Sequence, residues 1–522
     1  MLESAVKRRD FLKTVSAATA SAALPHAVRA TAGRPEKPNI VFILADDMGY
    51  GDLTHLNENS QIATPNIDRI GREGKYFSDA HSPSSLCTPT RYGVLTGRYC
   101  WRTRVKSGVL WGYSRHLIEP TRLTVPSLLK DHGYNTACVG KWHLGMDMPT
   151  KDGRGTRLPH TEADQRNYQA DIDWTGTIQN GPLAVGFDHF YGISASLDMH
   201  PYIYIDGDQF VGECTTEQDL LFVTRDYRPA RYADNTGPSH VDFVAEKVLP
   251  HITDKTVEYL DQQSANTPFF MCMSLTAPHI PIVPSAEYQG RSNLGAYGDF
   301  CIQLDDSVGR ILDTLDRKGF AENTLVVFTA DNGCAPYIGI EELNEQGHYP
   351  SYIYRGYKAD IWEGGHRVPF LARWPSKIEA GTHSGETICL TDLLSTCASI
   401  VGAELPDTAG EDSYDILPAL LGKSTSEPIR EATVQQALDG SFTIRQGRWK
   451  LVNTPSSGGY GNLSPDEVVR QNLPPIQLYD LETDISETRN VHTEFPEVVE
   501  RLGTLLESYQ QRGRSTPFAS VR

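Results

Sequence analysis

Residues 38–49 read Pro-Asn-Ile-Val-Phe-Ile-Leu-Ala-Asp-Asp-Met-Gly. The run from Pro38 to Leu44 is short, continuously apolar and rich in β-branched residues, the pattern of a parallel strand buried on both faces. It leads straight into Asp46 and Asp47, and open α/β sheets bind their ligands at the carboxyl ends of such strands. Adjacent carboxylates repel each other unless a cation neutralises them, so a metal is the simplest reason to keep both. Solvated loop acids are the alternative, and the apolar strand before them argues against it.

Working outward, two more runs have the same texture. Thr267 to Leu275 ends at Thr276-Ala277-Pro278-His279, and Thr324 to Ala330 ends at Asp331-Asn332-Gly333. Asp46, Asp47, Asp331 and Asn332 can surround one divalent cation, and three carboxylates with an amide suit Ca²⁺ or Mg²⁺ better than zinc. A fourth strand, Tyr134 to Val139, delivers Gly140-Lys141-Trp142-His143, where alternation places Lys141 and His143 on one side. A cation and an imidazole converging at a strand end suit an anionic substrate. Helices are expected from Thr64 as N-cap with Pro65 behind it, from Leu123 to Gly133, from Ile252 to Gln262 and from Tyr297 to Leu315. Alternating strands and helices imply an α/β fold with a largely parallel sheet. Beyond residue 425 short strands near 432–434, 442–445, 448–452 and 477–480 precede an amphipathic helix from Pro496 to Tyr509, a small antiparallel sheet with one helix.

Residues 82–97 read Ser-Pro-Ser-Ser-Leu-Cys-Thr-Pro-Thr-Arg-Tyr-Gly-Val-Leu-Thr-Gly, a C-x-P-x-R pentapeptide (Cys87, Pro89, Arg91) followed by Leu95-Thr96-Gly97. An isolated free cysteine is most often a small buried hydrophobe. A thiol phosphatase loop needs five residues between Cys and Arg, and here there are three. The stretch resembles the signature of the type I, formylglycine-dependent sulfatases of the alkaline phosphatase superfamily. The resemblance continues through T-P-N-I-D at 64–68, G-K-W-H-L-G at 140–145, A-P-H at 277–279 and R-G-Y-K-A-D-I-W-E-G-G-H-R-V-P at 355–369, in the family's order along nearly all the chain after residue 30. Thr90 departs from the usual Ser or Ala.

That resemblance implies a large, mixed, mostly parallel sheet sandwiched by helices, with a small C-terminal α+β subdomain. It implies that a formylglycine-generating maturation enzyme converts Cys87 to 3-oxoalanine, whose hydrate attacks the sulfur of a sulfate ester. One calcium ion per chain would be held by Asp46, Asp47, residue 87, Asp331 and Asn332. Arg91, Lys141 and Lys358 would neutralise sulfate oxygens, His279 would protonate the leaving alcohol, and His143 would act as the base that releases sulfate. The expected substrate is a sulfated carbohydrate or aryl sulfate, with galactose or N-acetylgalactosamine 6-sulfate favoured by the Tyr99 to Gly112 region. Two alternatives stay open: a phosphodiesterase or phosphonate hydrolase of the same superfamily, and a secreted sulfoglycan-binding protein in which Cys87 is never converted.

The first 30 residues differ in kind. Lys7-Arg8-Arg9-Asp10-Phe11-Leu12-Lys13, a mildly apolar Ala/Ser/Thr run and Val28-Arg29-Ala30 look like a twin-arginine export signal with its cleavage site. The expected organisation is therefore 1–30 export signal, 31–425 catalytic domain and 426–522 C-terminal subdomain, in a bacterial protein that is periplasmic or secreted. Removing the signal takes away five basic and two acidic residues and moves the net charge from −18 to −21. Such a chain does not seek nucleic acid or anionic membrane. No window approaches 18 apolar residues, which argues against stable membrane insertion. The nine cysteines form no C-x-x-C pair, so neither a zinc site nor a disulfide scaffold is indicated. Two polar insertions, Met146 to Pro182 and 199–242 with Arg225, Arg228 and Arg231, are expected over the active-site face, where loops set substrate choice.

Overall fold

The apolar run after Pro38 becomes the central strand of the molecule. A computed structural model describes residues 37–156, 171–220, 222–223, 227, 229–230, 235–423 and 427–518. Residues 1–30, where an export signal is expected, and Arg225, Arg228 and Arg231 lie outside the described residues. Residues 37–522 form one compact unit.

The main sheet contains β1 (Asn39–Asp46), β2 (Lys75–Phe77), β3 (Asn135–Lys141), β4 (His189–Ile193), β5 (Ile205–Asp206), β6 (Gln209–Phe210), β7 (Phe269–Pro278), β8 (Thr324–Ala330), β9 (Phe370–Arg373) and β10 (Thr382–Ser384). Their spatial order is β10-β2-β9-β8-β1-β7-β3-β4-β5-β6. The middle five, β8-β1-β7-β3-β4, are mutually parallel, and antiparallel strands flank them. Every residue of β7 and β8 is buried, which is why their sequences run apolar without alternation. Register brings the strand ends together: Ala45 pairs Ala330, Asp46 pairs Pro278, and Ser274 pairs Gly140. Asp46, Asp331, His279 and Lys141 thus emerge from four adjacent strands at one edge of the sheet.

Two helix groups brace this edge. The helices α1 (Pro65–Arg72), α4 (Val248–Gln262) and α5 (Ala296–Arg317) pack together and against the sheet, while α2 (Cys87–Thr96), α3 (Val125–Asp131) and α6 (Leu393–Val401) form a second group. Phe300, Leu304, Val308, Ile311 and Leu315 give α5 its fully buried stripe, at the spacing the sequence predicts. The N-terminus of α1 differs from expectation in its chemistry. Thr64 occupies the cap position but donates its hydroxyl to Asp68, and the exposed amides of Asn66 and Ile67 bond instead to Asp305 of α5, at 3.1 and 2.8 Å. A carboxylate delivered by tertiary packing has displaced the local cap.

The C-terminal meander of β11 (Thr433–Gln436), β12 (Phe442–Gln446), β13 (Trp449–Val452) and β14 (Gln477–Asp480) is antiparallel throughout. The helix α7 (Pro496–Gln511) covers it, and Leu502 and Leu506 close a small core with Val434, Ile444 and Leu478. Described ends of the first polar insertion are anchored: Met146, Met148, Ile172 and Ile178 belong to the main core. All nine cysteines are free thiols. Among the described residues no helix is long and apolar enough to cross a membrane.

Candidate active site

Cys87 is the first residue of α2, buried, at the helix end where unpaired amides and the dipole favour an anion. Around it stand the strand ends. Lys141 donates to Asp46 at 2.6 Å and to Ser196 at 2.9 Å, while Lys358 donates to Asp47 at 2.7 Å. Each member of the aspartate pair is thus matched to one lysine. Arg91 reaches Asp331 at 2.7 Å, lies 3.5 Å from Asp46, and also bonds to the hydroxyl of Ser274 and the carbonyl of Lys141. It therefore ties α2 to four strands at once.

Asn332 donates its amide to Asp47 at 2.7 Å and to the Gly333 carbonyl at 3.0 Å. Its Oδ1 is buried with no hydrogen-bond partner, and so is Asp46 Oδ1. A buried acceptor without a hydrogen bond costs on the order of 1–3 kcal/mol, which a cation would relieve at Asn332 Oδ1 and at Asp46 Oδ1, where Arg91 stands 3.5 Å away. The charge pattern agrees. Burial opposes ionisation of Asp46, yet Lys141, His279, Arg91 and Lys358 hold its carboxyl well below the usual range. Burial and the Asp46 charge push Asp331 up to about 7. Protein groups alone thus leave Asp331 poorly compensated, and the donor set of carboxylates and one amide fits a hard divalent cation.

The two histidines differ in what they can offer. His143 hydrogen-bonds the Leu110 carbonyl through Nε2 at 2.7 Å, which fixes the proton there and leaves Nδ1 a buried acceptor without a partner. Burial together with Lys141 and Arg91 holds its pKa well below the ordinary imidazole value, so it stays neutral. His279 donates from Nδ1 to the Ile280 carbonyl at 2.6 Å, leaving Nε2 to face Asp47 at 3.6 Å. Ser196 bridges Lys141 and His279.

The structure gathers all ten residues singled out from the sequence into this one buried cluster. The alternation argument for His143, however, does not apply. The strand β3 ends at Lys141, and His143 lies beyond it with φ 56°, its orientation set by left-handed backbone rather than by the pleat. Gly140, at φ 119°, makes the turn possible, since a Cβ there would sit 1.8 Å from the Ser274 carbonyl oxygen. Asp47 and Ala359, next to Lys358, also have positive φ, and strain of this kind is held in place only by dense surroundings. Sequence reasoning gave no role to Ser196, Ser274 or Tyr337. Tyr337 lies 3.4 Å from Lys358 Nζ and 3.5 Å from Asp47, and no local pattern marks it.

Comparison with known proteins agrees with this arrangement. The Sulfatase family profile matches residues 38–403. The chain is 33% identical over 513 residues to the N-acetylgalactosamine-6-O-sulfatase of Bacteroides thetaiotaomicron, covering 91% of this chain and 94% of that one. It is 32% identical to human steryl-sulfatase, over 74% of this chain and 70% of the other. A solved Bacteroides thetaiotaomicron structure, described in connection with metabolism of multiple glycosaminoglycans, superposes with a TM-score of 0.76 at 31% identity, over 91% of this chain and 100% of that one. A cation-ready cradle, two lysines and a cysteine at a helix N-terminus are here combined with family-wide similarity along most of the chain, so this enzyme hydrolyses sulfate esters and belongs to the sulfatase family.

Proposed function

We propose that this sulfatase removes the 6-sulfate of galactose or N-acetylgalactosamine, with residue 87 as formylglycine and one calcium ion held by Asp46, Asp47, Asp331, Asn332 and residue 87. The observation that carries the metal assignment is that Asp46 Oδ1 and Asn332 Oδ1 are buried and receive no hydrogen bond. The substrate assignment is supported by the similarity to the N-acetylgalactosamine-6-O-sulfatase and by the position of the 99–112 segment. Leu110 in that segment accepts from His143 and donates to Thr88, beside the cysteine.

When present, the calcium ion supplies positive charge that lowers the pKa of a bound hydroxyl, and the oxidised residue 87 supplies that hydroxyl as nucleophile. The chain's own groups do the rest. With a cation held by the carboxylates, Lys141 and Lys358 would be available to the sulfate oxygens, where they would balance the charge that grows on them. A protonated His279, its Nδ1–H held by Ile280, offers Nε2–H to the departing sugar oxygen. Neutral His143, with Nδ1 unpaired, accepts the proton whose removal lets sulfate leave. Arg91 bonds to Asp331 and keeps α2 in register with the strand ends.

Twin-arginine export to the periplasm or beyond, and maturation by a formylglycine-generating enzyme, belong to the same proposal. The test is the mass of the Cys87 peptide from protein made in its own host, with sulfate release from galactose 6-sulfate and galactose 4-sulfate. A loss of about 18 Da, from replacing SH and H by a carbonyl oxygen, together with preference for the 6-sulfate, is expected. An unmodified cysteine in active protein overturns the nucleophile assignment, and preference for the 4-sulfate overturns the substrate.

A further inference from the structure

The C-terminal sheet sends one tyrosine to the edge of the active site. Residues 456–462 read Ser-Ser-Gly-Gly-Tyr-Gly-Asn, and Tyr460 is the only large side chain in the turn. Although buried aromatics are common in this chain, Tyr460 is 48% exposed. Its ring meets that of Tyr337 edge-on, with centroids 6.1 Å apart and planes at 68°. The hydroxyl of Tyr337 in turn lies against Lys358 and Asp47. Two aromatic rings, one from the main sheet's loops and one from the small sheet, therefore stand in line beside the lysine that faces the aspartate pair.

The turn is built to hold this position. Gly459 lies so close to the chain after Lys358 that a Cβ would come within 2.4 Å of the Ala359 carbonyl carbon. Ile361 donates to the Ser457 carbonyl at 2.8 Å, and Gly461 donates to Asp360 at 3.3 Å. Ala359 itself donates to Ser85, two residues before Cys87, and accepts from Leu438 of the small sheet. With the backbone held on both sides of the exposed ring, less conformational entropy remains to be lost when a ligand arrives.

We infer that Tyr460, braced on Tyr337, forms an aromatic wall beside Lys358 against which the sugar bearing the sulfate packs, so that the C-terminal sheet selects the glycan. The inference rests on the sulfated-sugar reading above. The axial 4-hydroxyl of a galactose-type ring leaves an apolar patch of C–H groups on the opposite face, and an aromatic ring is the natural partner for that patch. Sulfate alone needs no such wall.

The experiment uses the full chain carrying Cys87→Ala, with calcium present, so that ligands bind without turnover. Calorimetric titration compares galactose 6-sulfate with inorganic sulfate. Tyr460→Ala is expected to weaken the sugar sulfate about tenfold, the scale of one lost ring contact, and to leave inorganic sulfate unchanged. Tyr460→Trp should retain the sugar affinity. Equal weakening of both ligands, or an unweakened Tyr460→Ala, overturns the wall. A parent that binds galactose 6-sulfate no tighter than inorganic sulfate overturns the sugar reading and this inference with it, which separates the two failures.

Discussion

Two buried charge clusters in this protein look alike in composition and behave oppositely. One is the strand-end cluster of Asp46, Asp47, Asp331 and Asn332. The other joins the main sheet to the C-terminal meander: His81, Glu363 and His366, whose ligand atoms are close enough to hold a metal. In the second, the Lys450 ammonium sits 3.0 Å from Glu363, 3.0 Å from His366 and 2.8 Å from Glu487. Its cation is covalently attached to β13. In the first, each lysine pairs with one aspartate, Arg91 stands 3.5 Å from Asp46 Oδ1, and neither that oxygen nor Asn332 Oδ1 receives a hydrogen bond. Counting acids and histidines does not separate a metal site from a structural ion network; a lysine ammonium placed among the acids, as Lys450 is here, does.

The comparison breaks if perturbing the two clusters gives the same phenotype. The largest effect is expected for Cys87→Ala beside the first cluster: kcat falls by at least about a thousandfold, as for loss of any covalent nucleophile, while a urea melt stays at the parent midpoint. Lys450→Met in the second cluster should do the reverse. Leaving Glu363 and Glu487 buried without their cation costs about 3–5 kcal/mol in a denaturant titration, with activity per folded molecule retained. An inactive but fully stable Lys450→Met would place that lysine in catalysis and dissolve the distinction.

Finer tests sharpen it. Lys358→Ala should lower kcat/KM by on the order of a hundredfold, and Lys358→Arg should not restore it, because a planar fork cannot replace a point charge there. Stripping the enzyme with a chelator should abolish activity reversibly, with calcium and not zinc restoring it; full activity in the stripped protein would mean the two unpartnered oxygens serve another purpose. The smallest effect concerns pH. Burial and then Lys450 hold His366 well below the ordinary imidazole value, with Glu363 opposing. Unfolded chains bind a proton near the ordinary imidazole value of 6.5 that the folded chain refuses, so this contribution to stability is complete above that pH and is lost as pH falls toward the folded value. Melting midpoints of His366→Gln should therefore fall less steeply below pH 6.5 than those of the parent.

Much of the site was readable because its signals are local. An unbroken apolar run followed by acids marks a buried strand and its ligand-binding end, and this held for β1, β7 and β8. His143 was found by motif but misplaced by pleat logic, since a left-handed residue after the last ladder bond leaves no trace in periodicity. Asp305 replaced the expected Thr64 cap from a helix more than 200 residues away. Tyr337 follows β8 and Tyr460 follows β13, and their meeting is helped by the close approach of Gly459 to Ala359, which as a letter is one glycine among 44.

What the sequence determined by itself was which segments are buried strands and which chemical groups stand at their ends, because burial and periodicity are properties of neighbouring residues. Only the tertiary structure decided which buried charges find partners. That choice depends on distances of a few ångströms between residues hundreds of positions apart, where Coulomb energy and desolvation nearly cancel. The same packing that delivers Lys450 into one cluster leaves Asp46 Oδ1 and Asn332 Oδ1 without a hydrogen bond in the other.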